Sequence, residues 1–76
     1  MPITKPIIAD RIETTAQGLV ISVAGQDYRI SWEQCSPKLA AATDQQRAEA
    51  ELSPSGYGIH WSTIDEDLAV GTLISA

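Results

Sequence analysis

The chain has 76 residues, 43 % of them apolar and 20 % charged, and its ten Asp and Glu against five Lys and Arg give a formal charge of −5. That length makes one small domain, able to bury only about 60 % of the surface its unfolded chain exposes. The acidic balance opposes unassisted binding to phosphate backbones, and Lys5, Arg11, Arg29, Lys38 and Arg47 are scattered rather than clustered, so nucleic acid is not expected as a direct partner.

Residues 1–6 carry two prolines and no periodicity, which predicts an extended lead-in to a single α+β domain over residues 7–76. From Ile7 the pattern has period two. Ile8, Asp10, Ile12 and Thr14 alternate with Ala9, Arg11 and Glu13, and after Gly18 the residues Leu19, Ile21 and Val23 share a face. Ala24-Gly25-Gln26 supplies a turn, because glycine accepts the positive φ of a tight hairpin. Tyr28, Ile30 and Trp32 then alternate with Arg29 and Ser31. These three segments predict an antiparallel three-stranded meander with one apolar face.

The period changes at Ser36-Pro37, a helix start with Ser as N-cap and Pro in the first turn. Thr43-x-x-Gln46 is a capping box that begins a second short helix, with Asp44 suited to its first turn. Glu51-Leu52-Ser53 predicts a short edge strand, Pro54-Ser55-Gly56 a turn, and Tyr57, Ile59 and Trp61 a further hairpin strand. Asp65-Glu66-Asp67 reads as the charged start of a C-terminal helix, with Leu68, Val70, Leu73 and Ile74 as its buried stripe.

A single cysteine, Cys35, excludes an internal disulfide and suits a reducing compartment. The N-terminus lacks the long apolar region of a signal peptide, and no apolar run approaches the roughly 20 residues of a membrane span. A cytoplasmic protein with no membrane partner is expected.

Trp32-Glu33-Gln34-Cys35-Ser36-Pro37-Lys38-Leu39, then Ala42-Thr43-x-x-Gln46-Arg47, then Gly56-Tyr57-Gly58-Ile59-His60-Trp61-x-x-Ile64-Asp65-Glu66-Asp67-Leu68 and Leu73 occur in a characteristic order and spacing. In these residues the chain resembles the domain-of-unknown-function family 2442, small bacterial and phage domains, over roughly Ile7 to Ile74. The resemblance implies a small stand-alone protein. Some members are fused to a C-terminal helix-turn-helix, which a chain ending at Ala76 would not carry. Others sit beside a small neighbouring protein in arrangements that suggest toxin–antitoxin pairs. Two departures matter: Ser62 stands where the pattern often has Pro, and Ala69 where it often has Ser. Without that Ser, Asp67 is the best remaining N-cap for the last helix.

The one chemical constellation is His60 with Asp65, Glu66 and Asp67. In a functional reading His60 is a metal ligand or general base, and Asp65 or Asp67 a second ligand or orienting carboxylate. One histidine beside carboxylates is a poor zinc set, and consecutive acids on a helix point about 100° apart. The structural reading is simpler: the acids complement a helix terminus and His60 bonds to one of them. No cofactor is expected. Cys35 could pair with His60 as a nucleophile, but a buried thiol is the plainer reading. Trp32, Trp61, Tyr57 and His60 are candidates for contact with a partner, although both tryptophans suit a core. Lys38 and Arg47 read as solvated surface.

The expectation is a small non-enzymatic regulatory protein that binds a protein partner, antitoxin-like and with that partner encoded next door. It would bind through a sheet edge or the Trp-bearing face. Two alternatives remain: a weak metal-binding or enzymatic domain using His60 with Asp65 or Asp67, and a homo-oligomer formed by edge-to-edge strand pairing.

Overall fold

The computed structural model describes residues 7–75, so the lead-in expected for residues 1–6 falls outside the described residues, as does residue 76. The first half is the expected meander. Strands β1 (Arg11–Thr14), β2 (Gly18–Val23) and β3 (Gln26–Ser31) pair antiparallel in that order. The β2–β3 turn places both Ala24 (φ 51°) and Gly25 (φ 83°) in the left-handed region, the conformation that matches hairpin twist. The register sets Leu19 opposite Ile30 and Ile21 opposite Tyr28. Leu19, Ile21 and Ile30 are buried on the inner face, while Arg11, Glu13, Asp27 and Arg29 are exposed on the outer one.

The connecting segment folds into three short helices, α1 (Trp32–Cys35), α2 (Pro37–Ala41) and α3 (Asp44–Arg47), each with a hydroxyl N-cap. Ser36 and Thr43 cap as the sequence predicts. The first helix differs from expectation. Ser31 caps it through a full capping box with Gln34, so Trp32 leaves the alternation of β3 and enters a helix instead of ending the strand.

The second half is another antiparallel meander: β4 (Ala50–Leu52), β5 (Gly58–Trp61) and β6 (Glu66–Ala69). Here the expectation for the three acids is overturned. Asp65 lies in the turn at φ 52°, and Glu66 and Asp67 are strand residues paired with Trp61 and His60. Strand pairing outweighs the preference of acids for a helix start, because His60–Asp67 and Ile59–Leu68 both fall into register on β5. The C-terminal helix α4 (Val70–Ser75) therefore begins five residues after Asp65 and buries Val70 and Leu73. Leu68 packs against the core from β6, and Asp67 does not cap the helix.

The apolar residues of both meanders and of α1, α2 and α4 form one core. Trp61 (0 % exposed) and Trp32 (3 %) meet edge to face, with ring centres 6.5 Å apart and planes at 82°. Each indole N–H also reaches a backbone carbonyl, Trp32 at Thr15 (2.9 Å) and Trp61 at Arg47 (3.1 Å). The two halves are further joined where the Ala9 N–H donates to the Gly56 carbonyl (2.8 Å). Gly56 has φ 80°, and a Cβ there would lie 2.5 Å from the Ile8 side chain and 2.7 Å from the Ala9 oxygen.

Candidate functional site

Alternation along β5 decides where His60 points. Ile59 and Trp61 are buried, so His60 stands on the outer face of the second sheet. The register places Glu51 of β4 on one side of it and Asp67 of β6 on the other, a row of acid, imidazole and acid. His60 Nδ1 lies 2.6 Å from Asp67 Oδ1. A carboxylate accepts, so Nδ1 donates and the imidazole presents its other nitrogen outward. The two side chains are 43 % and 75 % exposed, so the pair is solvated and adds only about 0.2–1 kcal/mol of stability.

The three consecutive acids do not converge. Asp65 and Ile64 offer their carbonyls to Lys38 Nζ at 3.1 and 3.3 Å. Glu66 Oε1 accepts from the Asp67 N–H, and Asp67 alone reaches His60. Among the described residues no group of three or more His, Cys, Asp and Glu side chains is arranged to hold a metal ion. His60 and Asp67 are the one pair from the expected ligand set that the fold brings together; Asp65 stays in the turn.

Cys35 is buried, and desolvation pushes its thiol up to about 11. That keeps it protonated and unreactive at neutral pH. Of the four candidates for partner contact, Trp32 and Trp61 are core residues, whereas Tyr57 is 44 % exposed and His60 shares the outer face with Glu51 and Asp67.

Arg47 is mostly covered rather than solvated surface, and Lys38 is exposed, as expected, but tethered. Lys38 ties α2 to the β5–β6 turn. Arg47 donates from Nε to the Leu39 carbonyl and from Nη2 to the Ala40 carbonyl, both at 2.9 Å, and its guanidinium sits 5.5 Å from the centre of the Trp32 ring. It closes the end of α2, where the Leu39 carbonyl also accepts the Ala42 N–H, and covers a tryptophan at once.

Charge is distributed unevenly between the two halves. From Ala48 onward the sequence holds Glu49, Glu51, Asp65, Glu66 and Asp67 and no Lys or Arg, so the entire −5 belongs to the half that forms the second sheet. Residues 1–47 are formally neutral, with Asp10, Glu13, Asp27, Glu33 and Asp44 against the five basic residues. The face around His60 is the exposed face of an acidic half-domain.

A family model described as "Protein of unknown function (DUF2442)" matches residues 9–76. The chain belongs to this family. Its fold is similar to the crystal structure of a protein of unknown function from Rhodospirillum rubrum ATCC 11170, with a TM-score of 0.80 at 24 % identity, covering 95 % of this chain and 88 % of that one. No curated protein matches the chain. The most distinctive DUF2442 block of this chain, Gly58-Ile59-His60-Trp61 with Glu66-Asp67-Leu68, is the β5–β6 hairpin. Ile59, Trp61 and Leu68 serve the core, and His60 and Asp67 pair outside it.

Sequence reasoning missed the role of Glu51 beside His60, because cross-strand neighbours become visible only once the register is known. It also missed the one-sided charge. Counting charges separately on either side of Ala48 would have found that.

Proposed function

We propose that this DUF2442 chain is a small non-enzymatic interaction protein that binds a protein partner through the outer face of its second sheet. The observation that carries the reading is the row Glu51, His60 and Asp67 on one exposed face, within a half that holds all the excess negative charge. A surface of one sign attracts and orients a partner of the other, so the partner presents a basic patch. Tyr57, exposed just ahead of β5, is a further aromatic group open to contact.

This is the kind of surface with which an acidic antitoxin-like regulator engages a basic partner, and the proposed setting is the cytoplasm. His60, held in orientation through Nδ1 by Asp67, offers its other ring nitrogen at the centre of the row.

The test is affinity capture from an extract of the host cell with the wild-type chain and with a Glu51→Lys, Asp67→Lys double variant. The wild type should retain a basic protein at fixed stoichiometry, which is released by raised salt. The double variant, with unchanged circular dichroism, should lose it. Equal retention by both, or no retained protein at all, would reject the reading.

A further inference from the structure

The outer edge of β3 carries a self-complementary pattern. The two-residue turn at Ala24-Gly25 makes Val23–Gln26 a hydrogen-bonded pair, and the alternation of antiparallel pairing makes Tyr28 and Ile30 the next residues bonded to β2. Asp27 and Arg29 therefore direct their backbone N–H and C=O groups away from the sheet. Among the described residues nothing bonds to those four groups, and β3 ends its sheet. Arg29 is exposed, and it is the one Lys or Arg among the described residues whose side chain makes no hydrogen bond or ion pair; Arg11, Lys38 and Arg47 each make at least one. Asp27 accepts from the Ser22 hydroxyl (2.6 Å), which holds its carboxylate on the outer face and leaves Oδ2 open.

We infer that β3 pairs antiparallel with β3 of a second copy, about a two-fold axis through Tyr28, to give a continuous six-stranded sheet. In that register Asp27 faces Arg29 of the second copy and Arg29 faces its Asp27, so both cross-strand pairs join opposite charges. The same two pairs exchange four backbone hydrogen bonds, because the outward groups of β3 belong to these residues. Charge selects the register. Centring on Asp27 would oppose two carboxylates, and centring on Arg29 two guanidiniums. Edge strands are commonly guarded by charge, but a guard of one sign repels a second copy, whereas Asp-Tyr-Arg attracts one.

The edge is also shaped for pairing. A cleft of about 410 Å³ lined by Tyr28, Arg29, Ile30, Gln34, Leu73 and Ile74 opens beside β3, and the two-fold brings Tyr28 of the second copy against it. The net charge of each copy does not oppose this contact directly, because the excess carboxylates belong to the other sheet. The inference uses a different surface from the acidic face proposed above and stands or falls separately.

The test is sedimentation equilibrium of the full chain over a dilution series, with amide hydrogen exchange at Asp27 and Arg29. The wild type should show a concentration-dependent dimer, with protection at those two amides rising with concentration. Asp27→Arg and Arg29→Asp should each weaken dimerisation by at least about tenfold, since each opposes like charges twice. The double swap, with the same charges exchanged, should restore it. Arg29→Pro, which removes an outward N–H that the fold does not use, should abolish dimerisation and leave the monomer folded. A chain that stays monomeric at every concentration would overturn the inference. So would a dimer indifferent to either single reversal, or a double swap that fails to restore association.

Discussion

Replacing Arg47 by Ala should destabilise the domain far more than a charged residue in a four-residue helix would suggest. The guanidinium makes two 2.9 Å bonds to the carbonyls that end α2 and stacks over Trp32, and its side chain is 17 % exposed. Bonds from a charged donor contribute about 1.5–3 kcal/mol each, and partial access to water places these two near the lower value. The contact with the indole adds about 0.5–1 kcal/mol. The loss should therefore be about 3.5–4 kcal/mol, against a total stability of roughly 4–11 kcal/mol for a chain of this length. At the lower figure Tm should fall by roughly 14–28 °C. Urea unfolding followed by tryptophan fluorescence and far-ultraviolet circular dichroism measures the difference. Arg47→Lys keeps the charge but not the planar fork, and should recover about half of the loss. A loss below about 0.5 kcal/mol for the Ala variant, the range of ordinary surface changes, would refute the assignment, as would a Lys variant equal to the wild type.

The joint between the halves supplies a second expectation. Gly56→Ala forces a positive φ on an L residue and drives its Cβ against Ile8 and Ala9, and should cost more than 1 kcal/mol in a thermal melt. Gly25→Ala has the same φ problem with open space around it and should cost less than Gly56→Ala. Ala69 immediately precedes α4, so Ala69→Ser should supply the missing N-cap and raise stability by about 0.5–1 kcal/mol in the same assay. His60→Ala should change stability by less than about 1 kcal/mol, because its pair with Asp67 is solvated, while abolishing capture of the partner. A thiol shifted from 9.0 to about 11 holds about 100-fold less thiolate near neutral pH, so Cys35 should react with a disulfide reagent far more slowly in the folded chain than in urea. Equal rates in the two states would contradict its burial.

The first meander was legible because its inner face alternates strictly and its turn carries a glycine. Ser36-Pro37 and Thr43-x-x-Gln46 were legible because a cap is a local interaction, complete within four residues. The same logic applies to Ser31-x-x-Gln34, a capping box that the alternation of Tyr28, Ile30 and Trp32 concealed. There the local cap won over a pattern that continued by coincidence. Asp65-Glu66-Asp67 failed for the opposite reason. Acids near a helix start are consistent with several structures, and the deciding interactions, the pairing of Glu66 with Trp61 and of Asp67 with His60, depend on a hairpin register that the residue pattern does not announce. Arg47 and Lys38 belong to the same class, since their acceptors are backbone carbonyls that no residue pattern announces.

That strand register also changed the status of His60. It stands at the centre of a carboxylate-flanked row on an exposed strand face. The acids that looked like a ligand cluster divide between a turn, a backbone contact and that row. What remains is a surface, and a surface of strongly one-sided charge.

The most direct test of that claim is the salt dependence of partner capture by the wild-type chain compared with the Glu51→Lys, Asp67→Lys variant. The account expects a basic partner held by the wild type at low salt, released as screening rises, and absent from the variant at every salt concentration. A partner retained equally by both chains, or one indifferent to salt, would show that the outer face of the second sheet is not the binding surface.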